Sequence, residues 1–165
     1  MRIYVPTTTT GLRALLDGGE LGAAPLTGFA VTPGLREWYV DDDLEELEYA
    51  ALSDAARASL RLIDADSGAA ARRVVVAADV DGSAVEIRDD LDRGVIRTLT
   101  TVPMAAVASV HVDDADAEAV VRAAAEAVVA ADLGDDAAQE RVDDAEGFEL
   151  SWYANQEIAA LLDSL

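Results

Sequence analysis

A chain of 165 residues with 52% hydrophobic content has the size of one domain and enough apolar material to close a core without staples. It contains no cysteine, which removes disulfide frameworks, thiolate zinc sites and cysteine nucleophiles. Its 33 acids face 12 arginines and no lysine, a formal net charge of -21 that repels polyanions, so neither nucleic acid nor an acidic membrane surface is expected as a direct ligand.

Residues 2–5 alternate and are β-rich, and Pro6 is expected to end that strand; the threonines after it offer N-caps to a helix bearing Leu12, Leu15 and Leu16, stopped by Gly18 and Gly19. A short strand follows near 27–31. Thr32-Pro33 then opens a short helix through Trp38, because proline at the first helical position gives up only an N–H that would lack a partner anyway. Asp41, Asp42 and Asp43 cap a longer helix whose opening turns hold Glu45, Glu46 and Glu48, where the helix dipole favours negative charge. Leu44, Leu47, Ala51, Ala55, Ala58 and Leu62 form one apolar stripe of that helix, and Tyr49, Leu52, Ala56, Leu60 and Ile63 a second beside it. It is therefore expected to be central, to pack on two neighbours and to show water a narrow edge.

RRVVVAADV, at 72–80, lacks polar alternation and reads as an interior strand covered on both faces. Asp81-Gly82 offers a hairpin turn into a strand at 85–88, and 95–100 is another strand. A single turn after Pro103 precedes the strand VASVHV at 107–112. Asp113 or Asp114 can cap the next helix, with Val120, Val121, Ala124 and Val128 on one face and Leu133-Gly134 at its end; Asp135 and Asp136 open another. The tail reads as a strand at 149–153 and a closing helix capped by Asn155. Together these predict a single α+β domain over 1–165: a mixed sheet of about five strands packed against the long central helix and further acidic helices. The longest apolar runs, such as VVVAA at 74–78, fall far short of the roughly 20 residues of a membrane helix. With no signal-peptide pattern in MRIYVPTTTTG, a cytoplasmic setting is the expectation.

The charge is localised. Residues 36–66 carry ten acids and three arginines, and residues 111–149 carry thirteen acids and two arginines, which together hold -18 of the net -21. The remaining segments are nearly neutral.

Taken together, GFAVTPGLREWY, LEYAALSDAARASLRLI, RRVVVAADV, VASVHVDDADAE and SWYANQE resemble a family of small acidic proteins of unknown function from high-GC Gram-positive bacteria. The resemblance spans most of the chain. It implies a bacterial, cytoplasmic protein and brings no catalytic residue with it.

Candidate chemistry is sparse. His111, the only histidine, lies beside Asp113 and Asp114, an arrangement open to acid–base or metal chemistry; a lone imidazole is a poor transition-metal site, and capping explains the acids. Asp79-Val80-Asp81-Gly82 resembles part of a calcium loop, but its first and twelfth positions would be Ala77 and Arg88, which lack the required carboxylates. Thr7 to Gly11 have no Gly-rich phosphate fingerprint, and no serine stands in a nucleophile-elbow context. No catalytic residue, metal or cofactor is therefore assigned. Two aromatic pairs, Trp38-Tyr39 and Trp152-Tyr153, stand beside Arg36 and Gln156; with His111 these seven residues are the candidate ligand- or partner-binding set, against the plainer account that the rings fill gaps in an alanine-rich core. The leading expectation is a non-catalytic binding or adaptor protein whose acidic surface meets a basic protein partner. Its rivals are a small enzyme using His111 with Asp113 or Asp114, and an acidic nucleic-acid mimic.

Overall fold

The computed structural model describes residues 1–40 and 42–165; Asp41, read above as part of a helix cap, lies outside the described residues. In chain order the elements are β1 (Arg2–Thr7), α1 (Thr9–Gly18), β2 (Glu20–Leu21), β3 (Leu26–Phe29), α2 (Pro33–Trp38), α3 (Leu44–Ala65), β4 (Val74–Asp79), β5 (Val85–Ile87), β6 (Val95–Thr98), β7 (Val102–Pro103), β8 (Val107–Val112), α4 (Glu118–Asp132), α5 (Asp136–Glu146), β9 (Ser151–Ala154) and α6 (Ile158–Asp163). Seven strands form one sheet in the order β5-β6-β3-β1-β4-β8-β9, with every neighbouring pair antiparallel, and β2 and β7 form a separate pair. The α+β class stands, with more strands than expected and, among the described residues, no parallel pairing.

The period of two along each strand divides the core into layers. Ile3 and Val5 of β1, Val74, Val76 and Ala78 of β4, and Val110 and Val112 of β8 point to one face, which Leu12 and Leu15 of α1 and Ile158, Leu161 and Leu162 of α6 cover. Tyr4, Val75 and Ala77 point to the other, where Leu47, Ala51, Ala55 and Ala56 of α3 lie on them. A third cluster joins Leu60 and Ile63 at the far end of α3 to Val121, Ala124 and Val128 of α4 and Val142 of α5. Arg61 clamps Asp132 there with contacts of 2.6 and 2.9 Å, and Arg57 reaches Asp132 and Gln139. Only the C-terminal half of α3 is thus sandwiched. Its N-terminal half touches the sheet on one side, leaving Leu44 and Tyr49 exposed, and Leu62 is exposed even in the C-terminal half, so the wet edge is broader than the two apolar stripes imply.

Local signals hold where they are local. Thr8 caps α1 by accepting from the Gly11 N–H, and Gly19 closes it at φ 78°, a conformation that disfavours other residues. Thr32 caps α2, Asp43 caps α3, and Asp135 caps α5. Pro6 does not end β1, which continues to Thr7; the ladder to β3 is confined to Tyr4 opposite Phe29, leaving room for a residue without an N–H.

Non-local demands override the other assignments. Asp81-Gly82 makes no hairpin, because both edges of β4 are already taken by β1 and β8; Asp81 instead caps a 3-10 turn, and β5 pairs with β6 at the far edge of the sheet. Asp113 does not cap α4, since its carboxylate is bound by Arg73, while Asp114 accepts from the Ser151 hydroxyl at 2.8 Å. Asn155 reaches across to the Val107 carbonyl rather than capping α6.

Candidate functional site

Because α3 crosses the sheet over β1, β3 and β4, no helix among the described residues packs over the same face of β8 and β9, and a groove forms between the flank of α3 and this half of the sheet. Ser109 and His111, in register with Ala77 and Val75 of β4, share the face on the α3 side and point into the groove, while the extra residue at the register shift beyond Ala77 turns Val107 to the opposite core. Trp152 of β9 lies directly opposite His111 in the ladder and shares its face. The upper lobe, about 290 Å³, is lined by Arg2, Tyr4, Glu45, Glu48, Tyr49, Leu52, Ser109, His111 and Trp152.

A second lobe of about 370 Å³ adjoins it across Tyr49 and Leu52. Its outer wall is the segment Phe148 to Leu150 between α5 and β9, which is tied down from beneath: Arg73 donates to the Phe148 carbonyl at 2.8 Å while its guanidinium and backbone N–H bind Asp113 at 2.7–2.8 Å. A third hollow lies on the other side of Tyr49, bounded by Tyr39, Asp43, Glu45, Glu46 and Asp54. Tyr49, 57% exposed, stands where all three meet.

The electrostatics of this ridge favour cations. Glu48 accepts from the Tyr4 hydroxyl at 2.9 Å, and burial together with that carboxylate pushes the Tyr4 phenol up to about 12. Arg2, the cation in the upper lobe, is held by Asp79 through two contacts of 2.7 and 3.0 Å, which leaves Glu45 and Glu48 with no guanidinium partner among the described residues. Burial, and to a lesser degree the charge of Arg2, lowers the His111 pKa, so the imidazole is neutral at neutral pH. Its Nε2 lies 3.2 Å from the Ser109 hydroxyl, a nucleophile–base contact in kind, but no carboxylate among the described residues orients the ring, and Asp113 is committed to Arg73. Among the described residues, no group of three or more metal-ligating side chains is gathered.

Asp54, on the same ridge of α3, has its pKa raised to about 6, first by crowding out of water and then by the charge of Asp92, against the pull of Arg93 and Arg57. A carboxyl whose folded pKa exceeds its unfolded value of 3.8 favours the fold below that value, and the advantage fades as pH rises through about 6. Asp54→Asn should therefore flatten the dependence of stability on pH between these limits. At pH 7 the variant should be the more stable by up to about 1 kcal/mol, a figure reduced for the solvent that still reaches the group. Urea unfolding of both proteins at pH 4 and pH 7 checks this; parallel curves would show that the carboxyl is not crowded.

Of the residues singled out from sequence, His111 and Trp152 meet in the upper lobe and Tyr39 borders the adjoining hollow. The others lie elsewhere. Trp38, 62% exposed, carries the Arg93 guanidinium 3.6 Å from its ring centroid and lines none of the three hollows. Arg36 pairs with Asp42 at 2.6 Å, and Gln156 is exposed in the turn before α6. Tyr153 points to the opposite face and packs against the α1–α6 core, as alternation along a strand requires. Sequence reasoning missed Tyr49, Glu45 and Glu48, assigned to an apolar stripe and to dipole compensation, and also Tyr4. The available signal was the alternation in V-H-V and S-W-Y, which puts His111 and Trp152 on one face if their strands pair.

A family model described as Family of unknown function (DUF6912) matches residues 1–162. No curated protein and no solved structure matches the chain.

Proposed function

The chain belongs to this family of unknown function, DUF6912, and from its geometry we propose a non-catalytic binding module whose groove beside α3 takes a cationic segment of a basic protein partner. One observation carries the reading: exposed aromatic rings and carboxylates that form no ion pair among the described residues converge on Tyr49, with Trp152 and Tyr39 on either side and Glu45, Glu46, Glu48 and Asp54 between them. Aromatic faces and carboxylates attract the same ligand, a guanidinium or ammonium, the first through the ring quadrupole and the second through charge. The surrounding acidity steers such a partner in and discourages nucleic acid and anionic lipid. The resemblance to high-GC Gram-positive proteins supports a bacterial cytoplasmic setting.

Each contact is modest. An exposed cation–π pair contributes about 0.5–1 kcal/mol and an exposed ion pair about 0.2–1 kcal/mol, so several must act together for micromolar affinity. Calorimetric titration with a hexa-arginine peptide should show saturable binding at low ionic strength that weakens at least about tenfold in 0.5 M salt. Tyr49→Ala and Glu48→Gln should each weaken it roughly three- to tenfold, whereas Glu126→Gln, an equal charge change on α4 outside the groove, should have little effect. Equal losses at Glu126 and Glu48 would show a diffuse charge effect and no groove site.

A further inference from the structure

Among the described residues β9 is the last strand of the sheet and is paired on one side only, with β8. The Ala154 N–H is turned away from β8 to the Glu157 carboxylate, at 3.1 Å. In an antiparallel pair a residue's N–H and C=O point to the same side and the sides alternate. Trp152, two residues earlier, therefore presents its own N–H and C=O to the open edge, while Ser151 and Tyr153 bond inward. Its indole, 61% exposed, also forms the outer wall of the groove. Main-chain hydrogen-bonding groups without a strand partner and the candidate cation site thus meet at one residue.

We propose that the basic partner docks as an extended segment along β9, adding an eighth strand to the sheet and directing alternate cationic side chains over Trp152 into the groove. This rests on the groove reading above and specifies how the partner is held: main-chain hydrogen bonds at the edge supply affinity, and the groove selects the side chains on one face. Charge complementarity determines the occupant. Glu149 and Glu157 flank β9, Asp114 bonds its first residue, and Glu45 and Glu48 face it across the groove. A second copy of a chain with net charge -21 would meet these carboxylates with its own, whereas a basic strand neutralises them. β5, at the opposite end of the sheet, lacks this chemistry: it has three residues, and its flanking charges are satisfied locally by the Glu86–Arg88 and Arg88–Asp90 pairs.

The probe is a capped hexapeptide of alternating arginine and valine, compared with six versions each carrying one backbone N-methyl group, titrated calorimetrically into the full chain and its Tyr49→Ala variant. Strand addition predicts periodicity: methylation at positions of one parity weakens binding roughly five- to tenfold, and at the other parity less than about twofold. Uniform tolerance of methylation, with Tyr49→Ala still weakening the parent peptide, would overturn strand addition and leave the groove reading standing. Parent-peptide binding indifferent to Tyr49→Ala would sink the groove reading itself. A concentration-dependent dimer in sedimentation, competed away by the peptide, would assign the edge to a second copy and contradict the proposal.

Discussion

Asp113→Ala lowers the unfolding free energy by about 3–5 kcal/mol, because it leaves a buried guanidinium without its counter-ion. The side chains of Arg73 and Asp113 are 4% and 0% exposed, and the carboxylate accepts from Nε at 2.8 Å, from Nη2 at 2.7 Å and from the Arg73 backbone N–H at 2.8 Å. Removing it strands all three donors where water cannot replace them. The loss also reaches the groove, since Arg73 fixes the Phe148 carbonyl in the outer wall. Replacing the pair together, Arg73→Met with Asp113→Leu, should recover much of the stability, because neither charge then remains buried. Urea unfolding measures both. A cost below about 1 kcal/mol for Asp113→Ala would mean that water reaches the guanidinium.

Ser59→Ala is expected to cost about 2–3 kcal/mol despite removing a single oxygen. Ser59 is fully buried in α3, where its hydroxyl donates to the Thr7 carbonyl at 2.7 Å and accepts from the Val74 N–H at 3.1 Å. One hydroxyl thus bolts the helix to the end of β1 and the start of β4, and alanine takes from the Thr7 carbonyl and the Val74 N–H, which face each other in the ladder, the buried partner that ties both to α3. Ser53→Ala, on the exposed ridge of the same helix, should change stability by less than about 0.5 kcal/mol. Hydrogen exchange adds a local readout: Val74 should lose protection relative to its neighbours in Ser59→Ala, and unchanged protection would refute the bridging role.

Features written in short stretches were legible in the sequence. Thr8 with Gly19, Thr32 with Pro33, and the unbroken apolar run of β4 each produce their structure through neighbours a few residues away. Features that depend on distant partners were not. Asp113 looks like a helix cap until Arg73, forty residues earlier, is placed beside it. Asp81-Gly82 looks like a hairpin until the N-terminal strand occupies that edge of β4; the Met1 amino group itself bonds the Val80 carbonyl at 2.7 Å.

The site divides in the same way. His111 and Trp152 could be paired by alternation, but Tyr49 looks like any other apolar residue of a broad helical stripe. Its role follows from where α3 stops covering the sheet, and that is fixed by the packing of Leu60 and Ile63 against α4.

Trp152 offers the most direct test of the central claim that the groove holds a cationic segment. With Trp38→Phe it becomes the sole indole of the chain, and its fluorescence can be followed while the arginine–valine hexapeptide is added. A saturable change in emission that is abolished by Glu48→Gln with Tyr49→Ala and reversed by 0.5 M salt is the predicted result. Calorimetrically detectable binding that leaves Trp152 emission unaltered would place the peptide elsewhere on the acidic surface and contradict the account.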